Sequence, residues 1–209
     1  RRVNVDNVIG NKNVYLVFKG GEGIGNVNWF RFNKEAIVSP IIPLIPIEPP
    51  TNTTIISGGI YRIINKASGK SLDVTDISVA NGAKLQQWEY SGGEHQKFRI
   101  DSVAPDTYSI TAIHSGKALD VVDGSNAGGA QIQQWQYFGS PQQQWNLDLI
   151  NEMYYEIASI HSGKVLQISG DSQSNGGRII QNSRQGIANE LWQFELVSSK
   201  KQSEEVINV

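Results

Sequence analysis

Residues 55–198 repeat themselves three times. Ser68-Gly69-Lys70 returns as Ser115-Gly116-Lys117 and as Ser162-Gly163-Lys164, a step of 47 residues each time (115 − 68 and 162 − 115). The same step links Tyr61, Tyr108 and Tyr155; Leu72, Leu119 and Leu166; Leu85, Ile132 and Ile179; and Phe98, Trp145 and Trp192. Three ungapped copies imply one structural unit repeated, with neighbours completing a shared core. Inside the first copy, YRIIN, SLDVT, KLQQW and QKFRI alternate apolar and polar residues between Gly, Asn and Ser turns, the pattern of short strands. A helical solenoid would need a 3.6-residue apolar period, which is absent, and a propeller needs at least about four blades. Four strands in each of three copies predict an all-β chain folded as a β-trefoil. The apolar row Ile63, Leu72, Leu85 and Phe98, with its counterparts, should fill one central core.

Composition agrees and narrows the partners. Glycine is plentiful (21) and methionine scarce (1), as expected for turn-rich strands. Eighteen basic and twenty acidic residues leave a formal charge of −2, which speaks against a nucleic-acid partner or a polybasic membrane contact. No window of eighteen consecutive apolar residues exists, so no bilayer-spanning segment is expected. Cysteine is absent, which excludes disulfides and thiolate chemistry but not secretion. RRVNVDNVIG lacks the apolar run of a signal peptide, and the chain is expected to begin within a longer protein.

Outside the repeats the chain changes character. In residues 1–34, VYLVF (14–18) and NWFRF (28–32) read as two strands around GGEGIGN, too little to fold alone. YLVFKGG followed by NVNWFRF resembles the C-terminal end of a family 6 carbohydrate-binding module, a β jelly roll, of which this would be an incomplete piece. Asn26 could match a cleft asparagine of that family, although it reads more simply as a turn residue. Residues 35–54 hold Pro40, Pro43, Pro46, Pro49 and Pro50 among five isoleucines and a leucine. Proline removes backbone donors and fixes φ, so this is an extended linker. Residues 199–209 form a charged, aperiodic tail.

The repeats carry a second pattern over the core pattern. SGKSLDV, then NGAKLQQW, then a closing Gln-x-Trp (Gln143-Gln144-Trp145) resembles ricin-B-type lectin domains, called family 13 carbohydrate-binding modules when attached to polysaccharide hydrolases. The resemblance covers 55–198 and implies sugar binding. The chemistry fits: a neutral sugar presents adjacent hydroxyls and one C–H face. A carboxylate accepts from the hydroxyls, an aromatic ring covers the C–H face, and an amide both donates and accepts. In the first copy these are Asp73, Trp88 and Gln86, with His95 and Gln96 where the family has Asn-Gln. In the second they are Asp120, Trp135, Gln133, Gln142 and Gln143. His95 and Gln142 both replace the family asparagine, so sugar preference should differ between the two sites. The third copy has Gln167, Asn182, Ile180 and Glu190 at the corresponding places and keeps only Asn189. Carboxylate and platform vanish together while Leu166, Ile179 and Trp192 persist. This separates residues that bind from residues that build, and the third copy is expected to be structural.

The resemblance also implies a disulfide where Ser71 and Tyr90, and Ala118 and Tyr137, stand here; a small residue facing a tyrosine is expected to fill that volume. Phe138, at the position of Ser91, is expected to extend the second platform.

No catalytic set is visible. Glycoside hydrolysis needs two carboxylates about 5–9.5 Å apart, whereas Asp73 and Asp120 belong to different lobes. Asp76 and Asp123 read as turn residues, and His95, His114 and His161 have no metal-ligand spacing. The expectation is a non-enzymatic module without metal or cofactor, a monomer, secreted from a bacterium. It would bring a polysaccharide-degrading enzyme to plant cell-wall material containing xylose, arabinose or galactose. The alternatives are a galactose-binding haemagglutinin, using the same residues, and a trefoil protease inhibitor, which would not need Trp88 and Trp135.

Overall fold

The computed structural model describes residues 54–198. The expectations for residues 1–34, for the linker up to residue 53 and for the tail lie outside them. Each copy contributes four strands: β1 (Gly59–Asn65), β2 (Ser71–Val74), β3 (Leu85–Trp88) and β4 (Phe98–Ala104); then β5 (Thr107–Ala112), β6 (Ala118–Val121), β7 (Ile132–Trp135) and β8 (Trp145–Leu149); then β9 (Tyr155–Ser159), β10 (Val165–Ile168), β11 (Gly177–Asn182) and β12 (Leu191–Ser198). The only helical pieces among the described residues are six three-residue 3₁₀ turns.

The outer strands of each copy close a ring. β1 pairs with β4, β4 with β5, β5 with β8, β8 with β9, β9 with β12, and β12 returns to β1, all antiparallel. The inner strands form three hairpins, β2–β3, β6–β7 and β10–β11, which gather over one end of the ring. They join through β3 and β11 and through isolated bridges from Lys84 to Gln133 and from Gln131 to Ile180. This is the expected trefoil. The twelve residues of the predicted row, from Ile63 to Trp192, are all buried in its core. Each fully buried aliphatic or aromatic side chain stabilises the fold by about 1.5–3 kcal/mol.

A polar device repeats as faithfully as the core. In each copy the serine of Ser-Gly-Lys donates to the second glutamine of the Gln-Gln-Trp position: Ser68 to Gln87 at 2.6 Å, Ser115 to Gln134 and Ser162 to Gln181 at 2.7 Å. The glutamine's amide then donates to two carbonyls of another copy. Gln87 reaches Ser172 and Ser174, Gln134 reaches Ser78 and Ala80, and Gln181 reaches Ser125 and Ala127. All three glutamines are fully buried. A buried amide must satisfy its donors and acceptor, and here it does so by fastening each lobe to its neighbour. The glycine of the same turn lies at φ near +67° in all three copies, where a Cβ would be strained.

Candidate functional site

The short β2–β3 ladder sets the first site. Asp73 pairs directly with Gln86 across it, and the Gln86 amide donates to Asp73 Oδ1 at 2.8 Å. Asp73 is 2% exposed, so its second oxygen meets the cleft from a buried base. Trp88, two residues along β3 from Gln86, is 42% exposed and stands at the rim. His95 comes from the 3₁₀ turn before β4 and puts Nε2 3.4 Å from Asp73 Oδ2. These residues, with Val74, Asp76, Ile77 and Ser91, line a cavity of about 320 Å³.

The second copy reproduces the arrangement. Gln133 opposes Asp120 and donates to its Oδ1 at 2.8 Å, and Trp135 is 37% exposed. Gln142, in the 3₁₀ turn before β8, occupies the place of His95, and Phe138 beside it is 67% exposed. Burial pushes both carboxyls above the usual carboxylate range. The Gln86 amide and the nearby His95 partly offset this for Asp73. Gln133 and Gln143 do so for Asp120, while Asp123 adds to the rise.

Gln96 and Gln143 stand between the acids and the loops beside them. Both are buried, and both ends of each amide are engaged by loop backbone. Gln96 accepts from Ser91 N–H at 2.7 Å and donates to Glu89 C=O at 2.8 Å, and Gln143 does the same with Phe138 and Gln136 at 2.8 Å. Each also hydrogen-bonds the acid of its own site, Gln96 with Asp73 and Gln143 with Asp120, so it links the carboxyl to the loop. The third copy keeps the loop contact with Glu190, whose carboxylate accepts from Gln185 and Gly186 N–H.

Two features escaped the sequence reading. Each tryptophan is backed by the Asn-Gly turn of another copy. Asn175 accepts from Glu89 N–H at 3.0 Å, and Gly176 lies against the Trp88 ring. Asn81 accepts from Gln136 N–H at 3.0 Å, and Gly82 lies against Trp135. The corresponding turn of the second copy, where Gly128 stands in place of asparagine, faces Asn182. The third copy thus keeps, in Asn175-Gly176, an Asn-Gly turn that meets the Trp88 end of the first copy's hairpin. The clue was in the sequence: an Asn-Gly retained in a copy with no tryptophan of its own. The second feature is the pairing of His95 with His114, from different copies, with ring centroids 6.2 Å apart. His114 also bonds the Ser78 carbonyl at 3.0 Å and His161 the Gly124 carbonyl at 2.6 Å, so both tie adjacent lobes together. Among the described residues no group of three His, Asp or Glu is placed to hold a metal.

In the third copy the site space is occupied by its own side chains. Gln167 donates to Asn189 Oδ1 at 3.2 Å, and Asn189 donates to Asp171 and to the Ile168 carbonyl. Arg184, at the position of Tyr90, pairs with Glu156 and Asp148. In the first copy the relation is reversed: the Arg62 guanidinium lies 4.4 Å over the Tyr90 ring and its Nε donates to Ser71. An arginine, and not direct serine–tyrosine packing alone, joins the two positions expected to replace a disulfide.

Threefold β-hairpins on a closed six-strand ring, with an acid, an amide and an exposed tryptophan on two of them, define a trefoil of the lectin class. The chain belongs to the ricin-type β-trefoil lectin domain-like family, whose model matches residues 53–135 and 141–207. Among solved structures it is similar to the designed threefold-symmetric protein ThreeFoil (40% identity, TM-score 0.64, covering 65% of this chain and 97% of that one). It is also similar to an exo-β-1,3-galactanase from Clostridium thermocellum (37% identity, TM-score 0.66), covering 69% of this chain and 31% of that enzyme. A Macrolepiota procera ricin B-like lectin in complex with lactose shares the fold at 18% identity (TM-score 0.60, covering 69% of this chain and 99% of the lectin). The clotting factor G alpha subunit of Tachypleus tridentatus is 46% identical over 52 residues, 25% of this chain and 8% of that protein. The chain thus spans a small part of that relative.

Proposed function

We propose that residues 55–198 are a non-catalytic carbohydrate-binding module of the family 13 type with two sugar sites. One observation carries the reading: acid, amide and exposed tryptophan occur together in two copies and are lost together in the third, whose core and inter-lobe bonds persist. In each working site the buried carboxylate accepts from vicinal hydroxyls. The tryptophan covers the C–H face, and Gln86 or Gln133 orients the acid. His95 and Gln142 contact the sugar from the far loop, with Gln96 and Gln143 supporting them. The third copy serves as scaffold.

The module acts on behalf of a secreted polysaccharide-degrading enzyme, holding it on plant cell-wall xylan, arabinan or galactan. The galactanase similarity at 37% identity supports galactan first, and the N-terminal resemblance to a family 6 module joined by a proline-rich linker supports a multi-module bacterial hydrolase. It works as a monomer. The second reading is a galactose-binding lectin acting at cell surfaces, which the same residues would serve. Affinity electrophoresis in soluble xylan and galactan tests the proposal. Trp88→Ala and Trp135→Ala should each reduce retardation, and the double variant should abolish it. Unchanged retardation of the double variant in every polysaccharide bound by the parent would overturn the two-site reading.

A further inference from the structure

Among the described residues five non-glycine residues have positive φ, and four of them are aspartates, which tolerate the left-handed region through local hydrogen bonds. The fifth is Ile77, at φ 54°. A β-branched residue there is an outlier, because its Cβ substituents crowd the backbone. The counterparts Gly124 (56°) and Asp171 (52°) share the conformation with residue types suited to it. The fold therefore requires this backbone shape but not the isoleucine. Packing does not account for it either, since Ile77 is 59% exposed.

What Ile77 does is line the first site. It follows β2, whereas Trp88 ends β3; the rungs between them run from Ser71–Trp88 to Val74–Leu85. Three residue steps span about 10 Å, with the Asp73–Gln86 rung as the floor between. Trp88 and Ile77 thus bracket the carboxylate from opposite ends of the ladder. In the second site Gly124 removes this wall, and the exposed Phe138 stands where the first site has Ser91. The apolar surface has changed rims.

We infer that Ile77 is a specificity residue of the first site, an apolar wall that closes it around a single terminal neutral sugar by packing on the C–H edge opposite Trp88. This rests on the sugar-binding reading. Strained backbone kept at a ligand-facing position, against the fold's own preference, is the mark of a functional constraint. The second site lacks the wall and stays open along the ligand.

The test uses the full chain with Trp135→Ala, so that only the first site is read. Ile77→Gly in this background should raise the midpoint of thermal unfolding by about 2–4 °C, because the strain is relieved. It should also weaken binding of galactose, xylose or arabinose, whichever the parent takes best by calorimetry, by roughly fivefold or more. A stabilised variant with unchanged affinity would overturn the inference. So would a lowered midpoint, which would make Ile77 a packing residue. Trp88→Ala in the same background separates the underlying reading: if monosaccharide binding survives it, the sugar site itself is misassigned, whatever Ile77 does.

Discussion

On the proposed reading, Asp73 and Asp120 bind where Gln181 builds. Each carboxylate sits in a largely buried position whose desolvation raises its pKa, and the amide opposite offsets only part of this. A carboxyl that binds its proton more tightly folded than unfolded makes the native state lose stability as pH rises through the interval between the two values. Asp73→Asn should therefore raise the unfolding midpoint at pH 7, and the gain should shrink as pH falls toward about 4. The same variant should bind sugar at least roughly tenfold more weakly at the first site, since the charged acceptor is gone. Thermal melts across pH, paired with calorimetry, check both halves. Ligand binding of the parent should also weaken on acidification from above the ordinary aspartate range. The opposite balance holds for Gln181, which binds nothing and fastens two lobes. Gln181→Ala removes three hydrogen bonds to a half-buried hydroxyl and two loop carbonyls and should cost about 1–2 kcal/mol in denaturant unfolding, with sugar affinity per folded molecule unchanged.

The hairpin is the element on which both tasks meet. On β2–β3 the residues facing inward, Leu72 and Leu85, serve the core, while Asp73, Gln86 and Trp88 serve the cleft and Gln87 serves the neighbour. Strand periodicity made the core residues legible at once, because apolar residues recur at every 47-residue step. The cleft residues became legible by their loss from the third copy. What could not be read was which copy supports which site. A linear repeat suggests that each site is built from its own copy, but the trefoil places the Asn-Gly turn of the third copy under Trp88 of the first. Only closure of the ring brings those residues together. Nor did the sequence show that loop backbone would engage both ends of the Gln96 and Gln143 amides beside the acids. Asn175→Ala separates the two schemes. It should weaken the first site about two- to fivefold by loosening the strand end that carries Trp88, and leave the second site unaltered, as read by calorimetry in Trp135→Ala and Trp88→Ala backgrounds respectively.

At the scale of the whole molecule, symmetry and function part company. Threefold packing needs three similar hairpins, and the core supplies them with small exchanges, such as Val74 and Val121 for Ile168 and Phe98 for Trp145 and Trp192. In the third copy Gln167, Asn189 and Arg184 are engaged in internal bonds. On the proposed reading the other two hairpins bind, and two sites on one rigid body gain avidity on a repeating polymer when the polymer can reach both. The proposal reduces to a number: two ligand sites on a threefold scaffold. Isothermal titration with the best-bound monosaccharide counts them directly. The expected stoichiometry is two for the parent, one for Trp88→Ala and for Trp135→Ala, and none for the double variant. A stoichiometry of three for the parent, or residual binding in a folded double variant, would contradict it.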